Sequence, residues 1–265
     1  MPHGRALFEQ VRSFPAETSA FWWLRQATVL VKVGGKVVLV DPFLSPAEGR
    51  LYQPLFSPED AAGVVDVVAC THDHLDHIDP VAVTALARHT DAAFVAPRAH
   101  AERMRSLGVP ADRLVAMNDE ETQAVRGLTI HAVKASHEFF DRTPGGLYPH
   151  LGYVLQGGGR TVYHPGDGVW WEGLQARLSR WTLDVMFLAI NGRDARRFQA
   201  GIIGNMVYQE AADLAGGLTV GLAVPIHYDM FAANSADPRL FVDYVNAKYP
   251  GRRTWVGEPG EPVRF

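Results

Sequence analysis

Within six residues, His72-Asp73-His74-Leu75-Asp76-His77, the chain places three imidazoles and two carboxylates, and Asp79 follows closely. His72 and His74 are two apart, so an extended or turning backbone can aim both to one side. Asp76 and His77 come a turn later and can face a neighbouring point. Two such pairs on one loop suit two cations lying close together, because imidazole nitrogens and carboxylate oxygens are the ordinary ligands of zinc and related ions. The plainer alternative is a polar loop carrying surface histidines. Histidine is uncommon, and the spacing is demanding enough to favour the metal reading.

The flanking sequence explains how such a loop could be held. The apolar run Val64 to Cys70 precedes it, and Asp79-Pro80 then opens Val81 to Arg88. This reads as a buried strand, a loop and a helix with Asp79 as N-cap and Pro80 in the first turn. Ligands at the carboxyl end of a strand are in the usual place for an α/β site. Other strand exits repeat the theme. Gly127 to Ala135 alternates as a strand and runs into His137; Arg160 to His164 runs into Asp167; Thr219 to Ile226 runs into His227. A β-branched hairpin, Thr28 to Val33 and Lys36 to Asp41, turns at Gly34-Gly35 and ends at Asp41-Pro42. Asp41 is then either a turn former or a carboxylate behind a metal-bound histidine, and the second fits the rest of the pattern. A second hairpin, Leu151 to Gln156 and Arg160 to His164, turns at Gly157-Gly158-Gly159 and echoes the first. The echo predicts two pseudo-symmetric halves meeting at one seam.

Elsewhere the reading is blander. Residues 1–20 form an arm or short helix, and 138–150 form an irregular loop suited to a lid or substrate rim. His89, His100 and His131 read as surface, packing or structural residues, and His164 and Tyr228 as packed or supporting neighbours. Length and composition allow one large domain over residues 1–265: 47% of residues are apolar and 20% charged. A net charge of -4 argues against a surface that coats nucleic acid. One cysteine, Cys70, excludes an intrachain disulfide. No basic leader and no membrane-length apolar run is visible, so the expectation is a cytoplasmic protein with no membrane or nucleic-acid partner. A homo-oligomer is compatible with everything above.

The order H-x-H-x-D-H, lone histidine, aspartate in a Gly-Asp context and final histidine resembles the metallo-β-lactamase superfamily from about residue 20 to 260. Trp22-Trp23-Leu24, Asp41-Pro42, Tyr163 to Asp167, Asn191 to Asp194, Gly204-Asn205-Met206 and Pro225 to Asp229 are similar to its L-ascorbate-6-phosphate lactonase-like (UlaG-like) branch. Pro165 and Gly168 flank Asp167 where that branch is expected to carry small polar residues. The resemblance implies an α/β, four-layer αββα sandwich. It also implies a metal-dependent hydrolase acting on a small anionic, sugar-phosphate-like substrate through a metal-bound hydroxide. By the same resemblance His72, His74 and His137 hold one divalent ion, Asp76, His77 and His227 hold the second, and Asp167 bridges. Asp76 is the candidate catalytic group, expected to orient the water or take its proton. Zinc and manganese suit the ligands, and iron is compatible with them. Arg193, with Arg196 or Arg197, could grip an anionic group or form a surface charge cluster; Asn191, Asp141 and Arg142 join Arg193 as substrate-binding candidates. The alternatives are a phosphodiesterase on the same scaffold and a non-catalytic metal-binding protein.

Overall fold

A computed structural model describes residues 2–265. In chain order the elements are α1 (Arg5–Ser13), β1 (Ala20–Trp23), β2 (Val29–Val33), β3 (Lys36–Val40), β4 (Val67–Ala69), α2 (Pro80–His89), β5 (Ala93–Pro97), α3 (Ala101–Ser106) and β6 (Leu114–Met117). The second half holds β7 (Thr122–Val125), β8 (Leu128–Lys134), β9 (Leu151–Gly157), β10 (Arg160–His164), α4 (Leu174–Leu178), β11 (Leu183–Ala189), α5 (Ala195–Gln199), α6 (Tyr208–Gly216), β12 (Val220–Ile226), α7 (Pro238–Lys248) and β13 (Pro262–Arg264).

These strands make two sheets, ordered β13-β1-β2-β3-β4-β5-β6 and β12-β11-β10-β9-β8-β7. Each contains an antiparallel hairpin whose second strand pairs in parallel with the next: β2–β3 then β4, and β9–β10 then β11. The echo read from the sequence is therefore present in the topology. The first sheet is buried on both faces, and its residues sort by parity. Phe21, Trp23, Val29, Val31, Val38, Val40, Val67 and Ala69 join the core shared with the second sheet. Their alternates Trp22, Leu30, Leu39 and Val68 pack with residues of α1 and α2. The second sheet is covered on its other face by α6 and α7, through Leu214 and Phe241. The result is the helix–sheet–sheet–helix layering expected.

Two elements sharpen the reading of the termini and edges. Residues 2–20 are not a loose arm: Leu7, Phe8 and Val11 of α1 are buried, and Lys32 donates to the carbonyls of Val11 (2.9 Å) and Phe14. An edge strand absent from the sequence reading, β7, is polar and mostly exposed. The interior histidine of β8, His131, bonds Gln156 Oε1 at 2.7 Å and serves the sheet, not the site. Asp79 caps α2 as expected, and Asp237 caps α7 in the same way, each before a proline.

The hairpin turns touch. Gly34 and Gly35 have φ of 57° and 73°, and Gly158 and Gly159 have 56° and 75°, left-handed values that suit two-residue hairpin loops. A Cβ on Gly34 would lie 2.9 Å from the backbone of Gly157 and Gly158. Gly34→Ala should therefore cost about 2 kcal/mol or more, combining positive φ with a backbone clash. Gly63→Ala, also at positive φ (70°) but with nothing within 4 Å, is the control and should cost about 1 kcal/mol. Equal urea midpoints for the two variants would contradict the contact between turns.

Candidate metal centre

The loop after β4 is a compact turn in which His77 and Ile78 amides both donate to His74 O at 3.0 Å. Asp79 fixes its far end. The carboxylate accepts from Val81 and Ala82 of α2 (2.8 and 3.2 Å) and from the amides of Leu44 and Ser45 at 2.6 Å. The loop after β3 and the start of α2 thus share one anchor. Asp41, at the end of β3, is fully buried. It accepts from Thr71 N, Thr71 Oγ1 and His77 Nδ1, each at 2.8 Å. Holding His77 Nδ1–H this way turns Nε2 toward the site, where it becomes the ligating nitrogen once it gives up its proton.

The second sheet supplies the remaining groups from three strand exits: His137 after β8, Asp167 after β10 and His227 after β12. Asp167 lies between the halves. Its Oδ1 is 3.4 Å from His77 Nε2 and 3.2 Å from His227 Nε2, and its Oδ2 is 3.5 Å from His137 Nε2. Asp76 Oδ2 is 3.3 Å from His227 Nε2 and 3.6 Å from His77 Nε2. His72 Nε2 is 2.9 Å from His74 Nδ1. Two groups emerge, His72/His74/His137/Asp167 and Asp76/His77/His227, with the ligand atoms of each within 4.8 Å of one another. All seven residues singled out from the sequence converge.

Several features show that these residues fit cations. His77 Nε2 and Asp167 Oδ1 are buried with no hydrogen-bond partner, a costly state that a cation between them would relieve. The protonation pattern is equally pointed. Burial opposes charge on His77, yet Asp167, Asp41 and Asp76 outweigh it and hold the ring well above its ordinary value. Burial is likewise overcome at His227, which Asp167 and Asp76 push up to about 10. Burial would raise Asp76 and Asp167, but the neighbouring imidazoles hold both carboxyls below their usual range. His72 is lowered by burial and by His77, and His137 falls to about 4, mainly through burial. The carboxylates thus favour the protonated form of His77 and His227, while burial favours the neutral form of His72, His74 and His137.

The backbone around Asp167 is shaped by contact. Gly166 has φ 64°, and a Cβ there would meet Thr71 Cβ at 2.7 Å; a Cβ on Gly168 would lie 3.2 Å from Ser136 O. This is why glycine flanks Asp167 in place of a polar residue. Gly168 N donates to Asn205 Oδ1 (2.6 Å), Asn205 Nδ2 to Asn191 Oδ1 (2.8 Å), and Asn191 Nδ2 to Asn234 Oδ1 (2.8 Å). Asn191 is thus a buried member of an amide chain behind the aspartate. Arg193 forms a two-pronged pair with Glu210, both contacts 2.7 Å, and Arg197 donates to Asn191 O and Ser235 O. Arg142 is exposed and lies over the Tyr148 ring at 4.8 Å; Asp141 Oδ2 is 3.9 Å from His150 Nδ1. His164 is buried and bonded to Ala27 O, and Tyr228 stacks on Trp23.

Sequence reasoning missed two neighbours of the cluster. His150 has its ring 5.1 Å from that of His72 and 5.5 Å from that of His137. It stands just before β9, where a strand-exit search does not look. Gln26 reaches Asp76 from the turn between β1 and β2 at 2.8 Å, with no metal-type side chain to flag it. The cavity of about 400 Å³ beside Lys32, Gly35 and Asp66 contains none of the cluster residues.

The chain belongs to the β-lactamase superfamily domain family, whose profile matches residues 36–228. It is 29% identical over 252 residues to the UPF0173 metal-dependent hydrolase of Myxococcus xanthus, covering 92% of this chain and 82% of that one. It is 26% identical over 266 residues to a probable L-ascorbate-6-phosphate lactonase, UlaG, of Escherichia fergusonii, covering 84% and 73% of the two chains. Among solved structures, Igni18, a metallo hydrolase from Ignicoccus hospitalis, superposes with a TM-score of 0.72 at 24% identity over 94% of this chain and 98% of that one. The protein is a metal-dependent hydrolase of this superfamily. No described helix is long and apolar enough to cross a membrane.

Two outcomes are expected. Cation uptake at pH 7 should release about two protons, since His77 and His227 must give up theirs to become ligands. Uptake should accordingly tighten as pH rises toward the value of about 10 at His227. Calorimetry in buffers of different ionisation enthalpy measures this, and uptake without proton release would contradict the charge pattern. Asp41→Asn should weaken cation binding by about 10- to 100-fold by loosening the His77 tautomer, read by competition with a chromogenic chelator.

Proposed function

We propose that the protein is a dinuclear metal-dependent hydrolase of lactonase type acting on a small substrate with an anionic portion. The observation that carries this reading is the pair of adjoining ligand groups with Asp167 between them. His72, His74 and His137 would hold one divalent ion and Asp76, His77 and His227 the other, with Asp167 shared. Zinc, manganese and iron all suit these donors. When bound, such ions polarise a scissile carbonyl and lower the pKa of an attacking water toward neutrality.

The chain's own residues supply the rest. Asp76 keeps a carboxylate at the open side of the cluster, its side chain 18% exposed against 5% for Asp167. It is the group placed to orient the attacking water and accept its proton. Asp41 stands behind His77 and holds its orientation. The lactonase choice is supported by the similarity to the probable ascorbate-6-phosphate lactonase of E. fergusonii. For the anionic portion, we assign contact to the rim loop carrying Asp141 and Arg142, because Arg142 is exposed there while its neighbour Asp141 approaches His150. Asn191 and Arg193 act from behind, through the amide chain and the Glu210 pair.

Protein stripped with a chelator and reloaded with zinc, manganese or iron should hydrolyse lactones, with phosphorylated ones preferred, and lose turnover on chelation. Asp76→Asn should lower kcat by about 100-fold or more. Hydrolysis of bis-aryl phosphates without lactones would replace the lactonase reading by a phosphodiesterase. Two bound cations with no turnover of either would leave a metal-binding protein.

A further inference from the structure

Gln26 sits in the turn between β1 and β2, closed by Leu24 N to Thr28 O (2.8 Å) and Thr28 N to Arg25 O (3.0 Å). Arg25 and Gln26 both have positive φ, 76° and 50°. Two successive non-glycine residues in the left-handed region are costly, and such strain persists only where surrounding contacts impose it. Here they do. The Gln26 carbonyl accepts from His227 N at 2.9 Å and from Trp23 Nε1 at 3.0 Å. Arg25 pairs with Asp229. The turn is thus clamped to the segment that follows β12, and its strained backbone aims one side chain inward.

That side chain is 1% exposed. Its amide nitrogen is 2.8 Å from Asp76 Oδ2 and 3.0 Å from His227 Nε2, and it leans over the imidazole, 3.4 Å from Nδ1. Its Oε1 is buried with no partner at all. This orientation donates an N–H to Asp76 Oδ2, into a lone pair that a cation would otherwise use. It is inconsistent once a cation sits on Asp76 and His227, since N–H groups would then face positive charge. Rotation of the amide exchanges the two ends without moving the backbone, and the nitrogen and oxygen are nearly isosteric. The position also has the spacing of a ligand. In a six-coordinate shell of radius about 2.1 Å, neighbouring ligand atoms lie about 3 Å apart.

We propose that Gln26 is a ligand of the cation held by Asp76, His77 and His227, contributing Oε1 after its amide turns over. This rests on the two-cation reading of the site. A neutral carboxamide oxygen adds a hard donor without further negative charge, which favours ions that accept oxygen-rich shells.

The test compares wild type with Gln26→Ala, the apolar near-isostere Gln26→Met, and Gln26→Glu. Circular dichroism and melting of the metal-free proteins first establish folding. Stepwise dissociation constants for zinc and manganese are then measured by chelator competition, and cobalt-loaded protein is read by its visible absorption. Wild type should bind two cations. Ala and Met should weaken one of them by about tenfold or more, leave the other, and change the cobalt spectrum, while Glu retains or tightens both. Should Ala not fold, Met and Glu decide the matter. Unchanged or tighter binding of both cations in Ala or Met overturns the assignment and makes Gln26 a plug. A wild type that binds no cation overturns the two-cation reading itself.

Discussion

The structure depends on keeping a crowd of unsatisfied lone pairs together in a buried seam between two sheets. Five imidazoles and two carboxylates point at one another there, and most of them are removed from water. Desolvation and mutual repulsion would disperse them on a flexible scaffold. They stay because each is fixed at the end of a buried strand or in a loop anchored on both sides. Asp41 shows the economy of this arrangement. One fully buried carboxylate ties Thr71 and His77 together, so the loop and its metal-facing nitrogen are set by a single group.

Five of the seven described non-glycine residues at positive φ lie at the same seam; the other two, Glu120 and Arg126, sit in the turns before and after β7. Arg25, Gln26, Asp41, Glu138 and His227 all have positive φ without being glycine, and each adjoins or belongs to the cluster. Strained residues gather where the chain must present groups at fixed positions and the surrounding packing outweighs the local cost. Glu138 is held by accepting Gly204 N at 3.2 Å, and His227 by donating its amide to Gln26. The second half answers with glycine where contact leaves no room, at Gly166 against Thr71. An amide chain of Asn205, Asn191 and Asn234 then steadies the loop from behind.

This division of labour explains what could be read in advance. Strand exits are legible because an apolar run followed by a ligand-type residue records both the burial and the chemistry in one short window. The Gly-Gly turns and the Asp-Pro helix starts are legible for the same reason, being local solutions to local backbone needs. The polar edge strand β7 left no such mark, since an exposed edge needs no apolar alternation. Short α4 and α5 left none either. The arginines near residue 195 were legible as charges but not as partners. Glu210, which holds Arg193, lies on another element, and the carbonyls that hold Arg197 have no signature in side-chain type.

By itself, then, the sequence determined the hairpins, the caps and the identity of seven groups able to hold cations, because each follows from residue type and short-range period, while the layers were implied by the family resemblance. Only the tertiary structure decided which of those groups face one another, that Asp167 lies between them, and that Gln26 and His150 border them. Those outcomes depend on how two sheets pack and how turns distant in the chain are clamped together. A distance between side chains on different strands is a property of packing, and no local stretch of residues contains it.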